Sequence, residues 1–532
     1  MKTIQQILPS LGVLSLLSVV NASLYNEIIE VPGGQVTGAS AFNESSAPSY
    51  IPNWRNISTW KGIPYAGDPS SENRWKPPQP VEPWNGTLKA TSFGLTCPSD
   101  STGDDIGEDC LTINIWSPAT SPNAGLPVMI WSYAGGEGSS SSIYDGAGMA
   151  GKGVVFVSYN YRVGPLAWLA LPELAEESAN NATSNYGLLD GTKALKWVYE
   201  NIASFGGDPE SIVLAGHSFG SGMSYHLMNS FETKGLIKGV IAMSGIKDPY
   251  DPNIWGYGSD YRNLTWATNF STTYAASLNA TNVADLRALS LEDILSGTGT
   301  SELIGFDPVL NYHSIPNTYL ESVENGAPNN VPVMVGNAYD EDGISLSTNY
   351  TVAEYESLLD STYGPYAKEL LAHYPANTTA EATTNYFNLL RGGYCTSTWS
   401  WAERFSKSSD KDLFFYLWNH VPPGELGATH GSEVPYALGN LYAQTSYNYT
   451  DVDYAVADLM SSYWANFVKT RNPNQGGSFT NTTGTLPYWS ANVPAENSNF
   501  WVGSGWKQVP VAAEAIMQLQ LEYFKWATPV AF

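Results

Sequence analysis

The five residues Gly216–Gly220, with the sequence GHSFG, constrain the fold of this chain more than any other stretch. They follow the apolar run 211–215 and precede a segment compatible with a helix, 221–228. A G-x-S-x-G sequence between a strand and a helix is typical of a sharp turn that exposes the serine. The glycines permit a close approach of the backbone that a side chain would block. The segment therefore predicts a strand–turn–helix unit that presents Ser218 as a candidate nucleophile.

Apolar runs with strand character alternate with helical patterns along much of the chain. The helical pattern is clearest over 193–203, and the strand-like runs are 128–131, 154–157, 212–215, 239–243, 331–335 and 413–418. Such alternation predicts an α/β fold with a large, mostly parallel central sheet and helices on both faces. Because no linker, charge block or internal repeat interrupts the pattern, we expect residues 23–532 to form one domain.

The N-terminal residues 1–22 have the pattern of a secretory signal peptide. Lys2 precedes the apolar run 7–20, and small or compact residues lead to a cleavage position before Ser23. The run is shorter than the ~20 apolar residues that a membrane-spanning helix needs, and the C-terminus lacks a lipid-anchor tail. We therefore expect a secreted, extracellular protein with no stable membrane anchor. Eleven later N-x-S/T sequons predict N-linked glycans, at Asn43, Asn56, Asn85, Asn181, Asn263, Asn269, Asn279, Asn349, Asn377, Asn448 and Asn481.

Charge and cysteine content exclude several classes of function. The formal net charge of −26 at pH 7 argues against nucleic acid and anionic lipid as partners. Cys97 and Cys110 lie in loop sequence, where secretion permits a disulfide, and the third cysteine, Cys395, is left over. No spacing of cysteine and histidine suggests a metal, so we expect neither a metal nor a cofactor.

A serine nucleophile needs a base and an acid that orients the base. Among the six histidines, His430 stands in a polar loop that follows the strand-like run 413–418, whereas His217 is too close to Ser218 to align with its hydroxyl. Three consecutive carboxylates at 340–342 follow the run 331–335, between the serine and the histidine in chain order, and one of them is the expected acid.

The oxyanion of the tetrahedral intermediate needs backbone N–H donors. Gly135 and Gly136 follow the strand-like run 128–131, where glycine permits close approach to a substrate. The N–H of Phe219, the residue after the serine, is the third expected donor.

With these residues in place, the chain resembles the type-B carboxylesterase/lipase family of α/β-hydrolases, which includes secreted fungal lipases and cholinesterases. The blocks that carry the resemblance extend over nearly the whole mature chain, at 62–66, 108–116, 160–164, 201–209, 463–467 and 472–474. The resemblance implies that Ser218 is the nucleophile, Glu341 the acid and His430 the base, and that Cys97 and Cys110 form a disulfide.

The chain also departs from the family pattern. His217 stands where the family usually has glutamate, Phe219 where it usually has alanine, and Asp342 where it usually has glycine. Family lipases close a long flap between the two matching cysteines, but only twelve residues lie between Cys97 and Cys110. A flap that short favours an open-pocket esterase over an interfacially activated lipase.

The resemblance thus implies a serine carboxylic-ester hydrolase that acts on a small-molecule or lipid ester through an acyl-enzyme. A lipase or sterol esterase is the first alternative, and a tailoring hydrolase or acyltransferase of specialised metabolites is the second. A catalytically silent binding or adhesion protein on the same fold is the non-enzymatic alternative.

Overall fold

A computed structural model describes residues 24–99, 105–134, 138–252, 262–296, 305–343, 345, 347–477, 485–492 and 496–528. The predicted signal peptide and the predicted oxyanion residues Gly135 and Gly136 lie outside these ranges, as does the sequon asparagine Asn481.

The strands are numbered in chain order. They are β1 Ile29–Val31, β2 Gly34–Thr37, β3 Ala39–Ser40, β4 Ser58–Pro64, β5 Thr87–Lys89, β6 Thr112–Ser117, β7 Leu126–Ser132, β8 Val155–Tyr159, β9 Gly207–His217, β10 Gly239–Met243, β11 Arg262–Asn263, β12 Val309–Leu310, β13 Val333–Ala338, β14 Leu413–Trp418, β15 Asn499–Val502 and β16 Gln508–Val509.

The α-helices follow the same convention. They are α1 Ala147–Gly151, α2 Pro165–Trp168, α3 Pro172–Glu177, α4 Tyr186–Asn201, α5 Phe219–Asn229, α6 Leu264–Ser277, α7 Val283–Ala288, α8 Leu291–Ser296, α9 Tyr319–Glu324, α10 Val352–Tyr363, α11 Ala367–His373, α12 Thr379–Ser408, α13 Val434–Leu438, α14 Asp451–Thr470 and α15 Glu514–Ala527. Short 3-10 helices are Leu24–Asn26, Trp54–Asn56, Ser71–Asn73, Ser142–Tyr144, Ile202–Phe205, Phe231–Thr233, Gly364–Tyr366 and Leu441–Ala443.

The central sheet has eleven strands in the order β16-β15-β14-β13-β10-β9-β7-β8-β6-β4-β3. The strands from β15 to β8 in this order are parallel to their neighbours. Strands β6, β4, β3 and β16 pair antiparallel at the two sides. The predicted α/β class with a mostly parallel sheet is therefore confirmed.

The order of the strands reverses at β7, because β8 lies on one side of it and β9 on the other. Chain connections leave such a switch point in opposite directions, which opens a crevice at the carboxyl ends of the strands. Ser218 follows β9 directly and therefore lies at this end of the sheet.

The central strands are covered on both faces. Every residue of β8, β10, β13 and β14 is buried, and successive side chains of a strand point to opposite faces. Helices α5 and α12 contact the sheet at β9–β10 and β13–β14, while α1 and α14 contact it at β8 and β7. The sheet is thus a rigid platform for the residues at its edge.

A buried ion pair fastens the segment after β8 to helix α4. The Arg162 guanidinium donates from Nε to Asp190 Oδ2 at 2.8 Å and from Nη2 to Asp190 Oδ1 at 2.7 Å, and both side chains are buried. Two parallel bonds to one carboxylate fix the geometry as well as the charge.

A disulfide joins Cys97 to Cys110, with a Cα–Cα distance of 5.1 Å. Within the described part of the chain, no helix is both long and apolar enough to cross a membrane.

Candidate active site

Ser218 occupies the sharp turn between β9 and α5, as the sequence predicts. Its backbone has φ 56° and ψ −124°, a conformation that residues other than glycine adopt at a cost. The Ser218 N–H donates to the Met243 carbonyl at 2.8 Å, and the Ser218 carbonyl accepts from the Ser221 N–H at 2.9 Å. These bonds hold the turn between two parallel strands and the helix, so the unusual backbone is fixed by its surroundings.

The turn fits only because three glycines lack side chains. A Cβ on Gly216 would lie 2.2 Å from the Gly220 carbonyl oxygen, and one on Gly220 would lie 2.0 Å from the Ser132 carbonyl oxygen. A Cβ on Gly245 would lie 2.2 Å from the Ser218 carbonyl oxygen. Gly216 and Gly220 belong to the motif that the sequence shows, whereas Gly245 has no such motif and is indicated only by the apolar run 239–243, which ends two residues before it.

His430 and Glu341 are in direct contact. Nδ1 of His430 lies 2.5 Å from Oε2 of Glu341, and Oε1 of the same carboxylate accepts the Ala338 N–H at 2.7 Å. The Glu341 side chain is 1% exposed. Burial disfavours both charges, yet the mutual attraction prevails: the pKa of Glu341 is lowered, and that of His430 lies above its ordinary value of 6.5.

The two carboxylates beside Glu341 have other partners. Asp340 accepts from Arg391 Nε at 2.6 Å and from the Ala428 N–H at 2.9 Å. The Asp342 carboxylate accepts a hydrogen bond from the Tyr394 hydroxyl. Of the three acidic residues that the sequence offered, Glu341 is therefore the one brought to His430, while Asp340 ties its loop to the loop that carries the histidine.

The structure also places His217 against His430, with ring centroids 4.4 Å apart. His217 is buried, and burial together with the charge of His430 holds its pKa well below the ordinary value of 6.5. The His217 imidazole is therefore neutral when His430 is protonated. It contacts one face of the base without competing for the proton.

A second buried carboxylate lies behind the contact between His430 and Glu341. Glu433 accepts from the Ser244 hydroxyl at 3.0 Å, and burial followed by repulsion from Glu341 raises its pKa to about 7. The Lys247 ammonium, also buried, lies 3.6 Å from the centre of the Tyr394 ring. Burial lowers the pKa of Lys247, although nearby Glu341 favours its charged form. No sequence motif marks Ser244, Lys247 or Glu433 as part of the site.

Phe219 begins α5, so its backbone N–H lies at the helix N-terminus beside the serine. Its ring packs against Tyr161 and Trp168, with centroids 6.5 Å and 5.9 Å away. The other two expected donors, Gly135 and Gly136, are outside the described residues. Of the predicted oxyanion residues, the structure thus places Phe219 alone.

His420 and His313 have partners of their own elsewhere in the fold. Nε2 of His420 lies 2.8 Å from Oδ1 of Asp453, near the start of α14, and Nε2 of His313 lies 2.8 Å from the amide nitrogen of Asn180. Cys395 is buried, and burial raises the pKa of its thiol to about 12. In the ranges that the structure covers, no cluster of histidine, cysteine and acidic side chains could hold a metal ion.

Ser218 and His430 open onto a cavity of about 560 Å³. Its walls come mainly from the loop before α13 and from the segment between Leu441 and α14. The lining residues include Ala134, Tyr144, His217, Pro422, Glu425, Thr429, Gly431, Ser432, Gln444, Ser446, Tyr447 and Tyr449. A nucleophile candidate and a histidine oriented by a buried carboxylate thus share one concave site, which is the arrangement that acyl transfer requires.

The chain is similar to known esterases over most of its length. A model of the carboxylesterase family matches residues 25–509. The chain is 30% identical to fumonisin B1 esterase of Sphingopyxis macrogoltabida over 442 residues, covering 79% of this chain and 80% of that protein. It is 30% identical to para-nitrobenzyl esterase of Bacillus subtilis over 450 residues, covering 79% and 87%. A solved structure of PNB esterase superposes with a TM-score of 0.73 at 27% identity, covering 93% of this chain and 99% of the other.

Proposed function

The chain belongs to the carboxylesterase family and has the α/β-hydrolase fold, and on that premise we propose that Ser218, His430 and Glu341 hydrolyse a carboxylic ester through an acyl-enzyme. The observation that carries the proposal is the buried contact between Glu341 and His430 at the cavity that Ser218 also lines. Fold alone would not justify this mechanism, since catalysis depends on the site.

In the first half of the reaction, the Ser218 hydroxyl attacks the ester carbonyl while His430 Nε2 takes its proton. Glu341 holds the Nδ1 proton of His430, which leaves Nε2 free to accept, and it stabilises the imidazolium that forms. The Phe219 N–H stabilises the oxyanion, and Gly135 and Gly136 are proposed as the other donors. The C–O bond then breaks as His430 gives its proton to the alcohol.

In the second half, His430 takes a proton from a water molecule that attacks the acyl carbon bound to Ser218. Collapse of the second tetrahedral intermediate breaks the bond to the serine, whose oxygen recovers the proton from the imidazolium. Acid and free serine are the products.

Among hydrolases of this family, we propose an open-pocket esterase of small-molecule esters rather than a lipase. Two observations support this. The disulfide between Cys97 and Cys110 encloses only a short loop, and the cavity beside Ser218 is lined by several hydroxyl groups and a carboxylate. A lipase or a sterol esterase would need an extended apolar surface at this place.

We further propose that the protein is secreted, glycosylated and cleaved before Ser23. The ten sequon asparagines that the structure describes are all exposed, as glycosylation requires. Expression of the full chain in a eukaryotic secretion host, followed by mass spectrometry, tests this: a mature N-terminus at Ser23 and a mass that falls on endoglycosidase treatment are expected. An intact Met1 on the product would contradict the proposal.

The test of the catalytic proposal is hydrolysis of p-nitrophenyl esters from acetate to palmitate by the wild type, Ser218→Ala and a matched control, Ser347→Ala. Ser347 is exposed and does not line the cavity, although it follows Glu341 by six residues in the chain. Loss of a serine nucleophile costs roughly 10⁶ in kcat, so we expect turnover of short esters to vanish in Ser218→Ala and to persist in Ser347→Ala. Turnover that survives in Ser218→Ala would refute the assignment of Ser218 as the nucleophile. A strong preference for palmitate would favour a lipase instead.

A further inference from the structure

In the proposed reaction, the leaving alcohol would occupy one side of the cavity beside Ser218. In the proposed reaction His430 gives its proton to the alcohol oxygen, so the alcohol must leave next to the imidazole. The walls around His430 come from the loop 422–435 and from the segment 444–449. Both segments lie between β14 and α14 in the chain.

The outer part of this wall is built from hydrogen-bonding groups. The Tyr447 hydroxyl donates to Oε1 of Glu425 at 2.7 Å. The rings of Tyr447 and Tyr449 lie side by side, with centroids 5.6 Å apart and planes 30° apart. Gln444 joins them on the same side and donates from Nε2 to the Ser142 hydroxyl at 3.2 Å.

These groups include a carboxylate, which only accepts, beside hydroxyl and amide groups that both donate and accept. An ionised carboxylate has about four lone-pair positions, and Tyr447 takes one of those on Glu425. One N–H of the Gln444 amide donates toward Ser142, and its oxygen is a further acceptor. Among the described residues that line the cavity, Glu425 is the sole carboxylate, and none is lysine or arginine. A ligand group that contacts the Glu425 carboxylate therefore has to bring a donor, whereas the hydroxyls of the wall can both donate and accept.

An apolar alcohol would fit this wall poorly. Covering Glu425 and Tyr447 with an alkyl or sterol group would remove water from both without replacing its hydrogen bonds, which is costly. A hydroxylated alcohol would replace that water, and its C–H faces could lie on the two tyrosine rings. Pockets of this kind use a few placed polar groups to select their ligands.

Resting on the proposed function, we propose that Glu425 and Tyr447 form a specificity site for the leaving alcohol, and that the substrate is an ester of a polyhydroxylated alcohol. This names the chemistry of the alcohol, which the hydrolytic machinery at Ser218 does not by itself determine. The two side chains act on the choice of substrate and take no part in proton transfer.

The experiment compares acetates that share one acyl group and differ in the alcohol. The substrates are 2,3-dihydroxypropyl acetate, 2,3-dimethoxypropyl acetate, propyl acetate and acetylcholine, and kcat/KM is measured for each. The dimethoxy ester keeps the oxygen acceptors of the diol but removes its donors, and it is larger by two methyl groups. Since a hydrogen bond to a charged group contributes enough for a tenfold effect or more, we expect the wild type to prefer the diol over the dimethoxy ester about tenfold.

The variants Glu425→Gln and Tyr447→Phe are expected to bring this ratio several-fold closer to one. The control variants Glu356→Gln and Tyr488→Phe change the same residue types at exposed positions outside the cavity and are expected to keep the wild-type ratio. Because a ratio within one protein cancels losses of folded enzyme, reduced stability of a variant cannot imitate the effect.

Each outcome decides the proposal. A wild-type ratio near one with Ser218-dependent hydrolysis of propyl acetate would overturn the alcohol site and leave the proposed function standing. A preference for the diol that survives in both variants would overturn the assignment to Glu425 and Tyr447. Faster hydrolysis of acetylcholine than of the diol would show selection by charge and overturn the hydroxyl proposal. Absence of Ser218-dependent turnover on every acetate would instead refute the proposed function itself.

Discussion

Replacement of Glu341 by glutamine is expected to reduce kcat by about four orders of magnitude, roughly 5 kcal/mol in activation free energy. The magnitude follows from the Ala338 N–H, which is the second hydrogen-bond partner of the Glu341 carboxylate besides His430. Oε1 accepts the Ala338 N–H at 2.7 Å while Oε2 faces His430 Nδ1. In Glu341→Gln the amide oxygen has to remain on the Ala338 N–H, because the amide NH₂ cannot accept a hydrogen bond.

The NH₂ group of the glutamine would then face His430 Nδ1, which would have to become an acceptor. The neutral imidazole would carry its proton on Nε2, the atom that should take the proton from Ser218. Since residue 341 is buried, water cannot restore the original pattern. The side chain keeps its size, so the effect is expected on the reaction rather than on folding.

The assay is steady-state hydrolysis of p-nitrophenyl acetate across the neutral pH range, with thermal unfolding of the same preparations. Asp342→Asn is the matched control, because Asp342 is exposed and its carboxylate is bound to Tyr394. It is expected to retain nearly all of the wild-type kcat. A Glu341→Gln enzyme that stays within tenfold of the wild type, correctly folded, would refute the tautomer argument.

Three other predictions follow from the site and its scaffold. The pKa of His430 is raised above 6.5 by its carboxylate partner, and only the neutral imidazole accepts a proton, so kcat/KM should fall with acid around a midpoint above pH 6.5; a lower midpoint contradicts this. Gly220→Ala puts a Cβ 2.0 Å from the Ser132 carbonyl oxygen and should cost about 3 kcal/mol of unfolding free energy in urea, whereas Gly393→Ala, whose nearest neighbouring atom lies at 3.9 Å, should cost little. The Cys395 thiol, buried and with its pKa raised to about 12, should react with iodoacetamide at neutral pH only after denaturation; labelling of the native protein would contradict its burial.

Much of the central sheet could be predicted because buried parallel strands are continuous apolar runs. The runs 239–243 and 413–418 coincide with β10 and β14. The run 331–335 was misplaced, since β13 extends from Val333 to Ala338. Its last residues include Gly336 and Asn337, which are poor strand formers in isolation. A Cβ on Gly336 would lie 2.3 Å from the Tyr416 ring on β14, so packing between strands sets this boundary.

The site was less predictable than the sheet. Ser218 and His430 could be selected from local sequence, but three adjacent carboxylates look alike in a sequence, and the choice of Glu341 depended on a family resemblance. In the fold, Arg391 and Tyr394 on α12 occupy the two neighbouring carboxylates. The three carboxylates are therefore distinguished by partner residues about fifty positions later in the chain. The same holds for the contact of His217 with His430, which sequence distance alone does not suggest.

The loop that supplies His430 and the wall formed by Glu425 and Tyr447 belong to one uninterrupted stretch, 422–449, between β14 and α14. The nucleophile and the acid come from elsewhere in the chain. Recombination that exchanged this stretch as a cassette would therefore transfer the base together with the preference for the alcohol. Such an exchange has to preserve the paired bonds between Asp340 and Ala428, both 2.9 Å. Selection on substrate range can thus act through a single exchangeable segment, while the strained serine turn is inherited unchanged.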